Sequence, residues 1–205
     1  MLHFVPARLV AVVRVCYLER TRRFRPRPSP PMSDPPFSGP SVSPWRAWLH
    51  TWGLSLLLVP VCGYVLWTYA TGAYTVFDMA SLLMHEAGHV FFAPFGWTLR
   101  ALGGSLFQLI LPGLFVVSFL RWSNRAGTQL SLAWLGQNAL NVSTYAADAQ
   151  ERALPLITND PSTHDWWRLL RAADLLAYDD VIGGGFLVLA IVAFTLALLV
   201  PRAPI

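Results

Sequence analysis

The stretch LLMHEAGHVFFAPFG, residues Leu82 to Gly96, is the most informative part of this chain. It is apolar and long enough to belong to a membrane helix, yet it carries His85, Glu86 and His89 near its middle. An ionisable side chain inside a membrane helix costs about 2.5–3.5 kcal/mol on insertion scales, so its presence is by default a functional hypothesis. The spacing of these residues and the apolar runs around them therefore predict both a fold and a chemistry.

The composition is that of a membrane protein. Of the 205 residues, 55% are hydrophobic and 13% are charged, and the mean hydropathy is +0.47. A soluble domain carries roughly 25% charged residues. All fifteen basic residues are arginine, which favours a GC-rich, bacterial source and hence an inner-membrane location. The two cysteines do not make a disulfide framework.

The net charge of +4 does not indicate a nucleic-acid partner. Residues 1–31 hold seven arginines against Glu19, whereas residues 32–205 hold eight arginines against ten acidic residues. The basic excess belongs to the N-terminal part alone, and the rest of the chain shows no nucleic-acid signature. The expected partner is the lipid bilayer, with a membrane-protein or peptide substrate.

The apolar runs predict an all-α fold, a polytopic membrane bundle of about five helices. Runs near 20 residues match a hydrocarbon core of about 30 Å. An amphipathic interfacial helix is expected at about residues 165–177, and residues 1–44, rich in proline and arginine, are expected to form a disordered extension. Met32 is an alternative start, and residues 45–205 form the membrane domain. The five predicted spans are residues 49–70, 76–95, 101–120, 126–147 and 181–200.

The segment His85-Glu86-Ala87-Gly88-His89 has the pattern H-E-x-x-H. Residues four apart lie on one face of an α-helix, so both imidazoles can reach one metal ion. Zn²⁺ is the ion predicted, because it takes nitrogen and carboxylate ligands and keeps one position for water in catalytic sites. Glu86 is then placed to take a proton from that water. The alternative is that the three side chains only join helices through hydrogen bonds.

A catalytic zinc needs a third protein ligand. Polar residues recur in the fourth apolar run at steps of three or four, which places them on one helical stripe that should face the bundle interior. With five spans, the Asp148 end of this stripe lies on the same side of the membrane as the histidines. We therefore predict Asp148 as the third ligand, with His164 as the alternative. The stripe consists of Gln137, Asn141, Thr144 or Tyr145, and Asp148.

A short multi-span chain with HEAGH in a membrane helix and an aspartate on a later helix resembles the site-two protease family of intramembrane zinc metalloproteases. The resemblance implies that His85 and His89 bind zinc, that Glu86 is the catalytic base and that substrates are membrane-embedded peptides. Asp148 corresponds to the family's third ligand by position only, because the usual Leu-Asp-Gly motif is replaced by NVSTYAADA. Asn141 is placed where the family carries an asparagine, and it is expected to help hold the oxyanion.

Two functions from different classes follow. The first is a membrane-embedded zinc metallopeptidase in which Glu86 acts as base. The second is a non-catalytic membrane protein that retains a metal or polar cluster for assembly or partner binding. The first predicts that Glu86 is essential, and the second predicts that it is dispensable while His85 and His89 matter for folding. A metal-dependent hydrolase of lipids or another non-peptide substrate is a third possibility.

Overall fold

The computed structural model of the chain describes residues 43–200, and its helices follow the predicted apolar runs. These residues contain no β-strand, so the all-α prediction is confirmed for them. The predicted extension lies outside the described residues except for Ser43 and Pro44, and Pro44 already begins the first helix. The helices are α1 (Pro44–Thr71), α2 (Val76–Phe92), α3 (Trp97–Arg121), α4 (Arg125–Ala147), α5 (Asp165–Ala172) and α6 (Asp179–Leu199), with short 3-10 turns at Ala93–Phe95, Pro161–Thr163 and Leu176–Tyr178.

Three of these segments are long and apolar enough to cross a membrane: Pro44–Thr71, Trp97–Arg121 and Leu176–Leu199. Their outward side chains are largely hydrophobic and exposed, as lipid-facing surfaces are. The chain therefore fits a membrane protein. Helix α2 has 17 residues and α4 is rich in polar side chains, so membrane crossing by these two helices stays a prediction.

Helix α4 lies at the centre of the bundle, which explains how it can be polar. Gln129 donates to Ser55 Oγ of α1 and to the Ala197 carbonyl of α6, each at 2.9 Å. Ser143 Oγ donates to the Gly183 carbonyl at 2.7 Å. Buried polar groups need such partners, and the surrounding helices supply them. The apolar core beside α4 consists of Leu58, Cys62, Val65, Ala139, Leu140, Ala190 and Phe194.

Helices α2 and α3 approach closely because glycines face each other across their interface. A Cβ added to Gly88 would lie 2.2 Å from the Gly103 carbonyl oxygen, and one added to Gly103 would lie 2.8 Å from the Gly88 carbonyl oxygen. No other residue fits at either position without separating the helices. This contact holds the histidine face of α2 against α3.

Helix α5 corresponds to the amphipathic helix predicted at about residues 165–177, but it is shorter. It ends at Ala172 and not at residue 177. Asp174 adopts a left-handed conformation with φ 57°, and the Leu175 amide donates to the Leu170 carbonyl at 2.8 Å. This arrangement terminates a helix. The apolar spacing continued beyond Ala172, but the backbone conformation at Asp174 did not follow from that spacing.

Candidate metal centre

His85 and His89 lie one turn apart on α2, as their spacing predicts, and both point towards α5. His85 Nε2 lies 3.3 Å from Asp165 Oδ2, and His89 Nε2 lies 3.1 Å from the same oxygen. Ligands bound tetrahedrally to zinc at about 2.0–2.1 Å are separated by about 3.3 Å. Within residues 43–200, His85, His89 and Asp165 form the one group of three possible ligands whose atoms lie within 4.8 Å of one another.

A chain of side-chain hydrogen bonds sets the tautomer of His85. The Asp78 carboxylate accepts from the amide and hydroxyl of Thr75 at 2.8 and 2.6 Å, and from Asn141 Nδ2 at 3.4 Å. Asn141 Oδ1 then accepts from Gln108 Nε2 at 2.8 Å, and Gln108 Oε1 contacts His85 Nδ1 at 2.9 Å. Since a carboxylate only accepts, each amide is oriented in turn, and His85 Nδ1 must carry the proton. We call this chain the Asp78 relay.

His89 is fixed in the same sense by the backbone. Its Nδ1 donates to the Arg100 carbonyl oxygen at 2.8 Å, which likewise leaves Nε2 with a lone pair in the neutral ring. Histidines that bind metals commonly donate their other ring N–H in this way. Two lone pairs and a carboxylate oxygen then converge without a hydrogen between them. These three electron-rich atoms repel one another unless a cation lies between them, either a proton on one imidazole or a metal ion. Two imidazole nitrogens and one carboxylate oxygen are ligands that zinc accepts, so the donor set fits zinc.

Asp165 is the first residue of α5, and two neighbours hold it there. Tyr145 Oη accepts from the Asp165 amide at 3.1 Å and donates to Asp165 Oδ2 at 3.2 Å. His164 caps the helix, because its Nδ1 accepts from the Trp167 amide at 3.2 Å. Burial of Asp165 opposes its ionisation, but the adjacent imidazoles of His85 and His89 outweigh burial and hold the pKa of the carboxyl well below its usual range. Asp165 is therefore present as a carboxylate.

The two predicted third ligands lie outside this cluster. Asp148 follows the last residue of α4 and accepts from the amides of Ala153 and Leu154 at 2.9 and 3.1 Å, so it organises the following loop. His164 is fully buried, and its Nε2 lies 3.4 Å from Asp148 Oδ2 without hydrogen-bonding geometry. Burial lowers the pKa of His164. The structure thus brings Asp165, and neither Asp148 nor His164, to the two histidines, and the identity of the third metal ligand stays a prediction.

The polar stripe of α4 faces the bundle interior, as predicted, and there it contacts the histidine helix. Ser81 of α2 donates to Gln137 at 3.0 Å, Asn141 belongs to the Asp78 relay, and Tyr145 holds Asp165. Asp148 does not extend the stripe to the histidines, because α4 ends at Ala147 and the Asp148 carboxylate accepts a hydrogen bond from the following loop. Asp165 was not among the predicted ligands. The available signal was its place at the start of an amphipathic helix on the predicted histidine side of the membrane.

A cavity of about 800 Å³ opens beside the cluster. Glu86, His85, His89 and Asp165 line it together with Asn141. Glu86 is exposed, and it follows His85 directly in the chain, so its carboxylate is available to a molecule in the cavity. The remaining wall is mixed: it includes apolar Val65, Leu82, Leu140 and Leu156, polar Thr68, Thr75 and Thr158, and the arginines Arg100 and Arg168.

A comparison with protein-family models, with curated proteins and with solved structures finds no match. The resemblance to site-two proteases therefore rests on the motif His85, Glu86 and His89 alone.

Proposed function

We propose that this chain is a membrane-embedded zinc metallopeptidase. The observation that carries the proposal is the convergence of His85 Nε2 and His89 Nε2 on Asp165 Oδ2 at 3.3 and 3.1 Å, with both outer nitrogens occupied by hydrogen bonds. Hydrogen bonds alone would explain joined helices. A proton on one imidazole would also reconcile the three acceptors, but a metal ion accounts in addition for their place on the wall of a cavity that holds Glu86.

His85, His89 and Asp165 would hold the zinc, which leaves one position for water. When bound, zinc lowers the pKa of a water ligand to about 7 and polarises a carbonyl oxygen. The carboxylate of Glu86 accepts a proton from the attacking water and returns it to the departing amine. Tyr145 and the Asp78 relay keep the ligands in place.

The role of Asn141 differs from the oxyanion role expected from the resemblance. Its carbonyl oxygen accepts from Gln108, and its amide donates towards Asp78 at 3.4 Å. Asn141 also lines the cavity, so its second amide hydrogen can reach a bound molecule. The contacts support Asn141 first as a positioning residue of the relay.

We further propose that all five long helices cross the membrane, and that the membrane is a bacterial inner membrane. Helix α2 is short at 17 residues, but α3 and α4 cover one side of it, and α4 is surrounded by α1, α3 and α6. Polar residues within a membrane are tolerated where they face other helices or a water-filled cavity. The cavity beside Glu86 supplies both water and space for an extended peptide segment.

The test compares the native full chain with Glu86→Gln and His85→Ala, purified in detergent. We would measure the amount of zinc bound per chain. We would also measure the rate at which each sample cleaves quenched fluorescent peptides with apolar, helix-forming sequences. We expect about one zinc in the native chain and in Glu86→Gln, with cleavage at least roughly 100-fold slower in Glu86→Gln. His85→Ala should lose both.

The non-catalytic alternative makes a different prediction for the same samples. Zinc bound by the native chain, together with peptide cleavage that Glu86→Gln leaves unchanged, would overturn the proposed mechanism. Zinc binding with no cleavage of any peptide, and a loss of thermal stability in His85→Ala but not in Glu86→Gln, would favour a metal that serves assembly.

A further inference from the structure

Arginine and tryptophan side chains from α5, from the beginning of α3 and from the loop after α4 form a cluster. The guanidinium carbons of Arg152 and Arg171 lie 4.7 and 5.0 Å from the ring centroid of Trp167. That of Arg168 lies 5.3 Å from the ring of Trp97. Such cation–π contacts hold the guanidinium groups over the ring faces. We call these five residues the Arg–Trp patch.

Among the described residues, no acidic side chain lies within 4 Å of the three arginines. Within residues 43–200, the ion pairs closer than 4 Å all involve histidine, so no carboxylate neutralises Arg152, Arg168 or Arg171. Arg152 Nε is in addition buried without a hydrogen-bond partner. A shallow cavity of about 370 Å³ lies between Trp97, Trp167, Arg168 and Arg171. The patch therefore offers a concave, positively charged surface with unused donors.

The position of α5 indicates what lies beside this surface. Its inner face is anchored by Trp166, whose Nε1 donates to Ser105 Oγ of α3 at 3.1 Å and whose ring packs at 5.6 Å on Phe186 of α6. Trp97 is the first residue of one candidate span, and the span ending at Leu199 begins at Leu176, soon after α5. The patch thus lies at the end of two membrane-crossing segments, where tryptophan and arginine meet lipid headgroups.

We propose that the Arg–Trp patch binds the phosphate of an anionic phospholipid headgroup. The guanidinium groups of Arg168 and Arg171 donate to the phosphate oxygens, and Trp97 and Trp167 flank the glycerol region. Basic pockets between membrane helices suit such headgroups, and Arg donates to phosphate in a fork. This site does not include the metal cluster, although Trp97 and Arg168 line both cavities.

The experiment titrates the purified full chain with dioctanoyl phosphatidylglycerol, with dioctanoyl phosphatidylcholine and with inorganic phosphate, and follows bound lipid by native mass spectrometry. The variants are Arg171→Gln and the double variant Arg168→Gln/Arg171→Gln. The side chain of Arg171 is exposed, so its replacement is not expected to affect folding. The matched control is Arg46→Gln, because Arg46 stacks on Trp45 at 5.2 Å as an isolated arginine–tryptophan pair.

We expect phosphatidylglycerol to bind at least roughly tenfold more tightly than phosphatidylcholine or inorganic phosphate. Each arginine should contribute roughly fivefold, so the double variant should bind roughly 25-fold more weakly, and Arg46→Gln should bind as the native chain does. Equal binding of the two lipids would overturn the proposal, as would inorganic phosphate as strong as phosphatidylglycerol. The proposal would also be overturned if Arg171→Gln bound phosphatidylglycerol as tightly as the native chain, or if the control Arg46→Gln lost as much affinity as Arg171→Gln.

Discussion

Replacement of Gly104 by alanine tests the metal centre through a residue that is not a ligand. Gly104 lies on α3 directly behind His85, and a Cβ there would lie 2.5 Å from His85 Cε1 and Nε2 and 2.6 Å from Nδ1. Non-bonded heavy atoms are at their optimum near 3.5–4.0 Å, so the imidazole must retreat by about 1 Å. Metal sites tolerate errors of about 0.2 Å in ligand distance. Gly104→Ala should therefore remove His85 from the ligand set.

The expected size of the effect separates metal binding from folding. Overpacking costs about 1–3 kcal/mol of stability, and the better helix propensity of alanine offsets about 0.5–1 kcal/mol of that cost. Zinc affinity should fall by more than the roughly 10–100-fold seen when an outer partner of a ligand is lost. Gly113→Ala on the same helix is the control, because no atom lies within 4 Å of its added Cβ.

The assay is a competition between the full chain and a chromophoric zinc chelator, with thermal unfolding measured on the same samples. Gly113→Ala should bind zinc as the native chain does. If Gly104→Ala binds zinc as tightly as Gly113→Ala, then His85 is not a ligand in the arrangement described, and the reasoning fails.

Three further predictions use the same zinc assay. Gln108→Leu should weaken zinc binding roughly 10–100-fold, because His85 loses the partner that sets its tautomer. The control is Gln129→Leu, which removes another buried amide and should lower thermal stability without changing zinc affinity. An equal loss of zinc affinity in both variants would count against the Asp78 relay. Asp165→Asn should abolish zinc binding, whereas Asp148→Asn should retain zinc and loosen the loop at residues 153–154, seen as faster proteolysis there; the reverse result would restore Asp148 as the ligand. Zinc affinity should fall as the solution is made acidic, because the histidine ligands must be deprotonated to bind the metal and protons compete with it. The pKa of the Asp165 carboxyl is lower in the folded chain than in the unfolded chain, where it is about 3.9. The carboxylate therefore stabilises the fold above about pH 3.9, and this contribution disappears only as the pH falls through the lower pKa of the folded state. Zinc binding that does not change between pH 5 and pH 8 would contradict the histidine ligands.

The bounds of the long helices and the pair of histidines followed from the sequence because they depend on local periodicity. The predicted run 126–147 coincides almost residue for residue with α4, and 181–200 with α6. His85 and His89 share a face because four residues make about one helical turn. The stripe through Gln137 and Asn141 faces the bundle for the same reason.

The third ligand depended on tertiary structure. Asp148 and Asp165 both follow α4 in the chain, and no local pattern distinguishes an acid that closes a loop from an acid that meets two histidines. The fold makes that choice, because Tyr145 and the His164 cap bring the first turn of α5 over α2. The Asp78 relay joins three helices, and the room at Gly104 exists only when α3 packs on α2. Local spacing thus determined which helices could form and which face carried the histidines, whereas contacts between residues distant in sequence decided which carboxylate lies beside them.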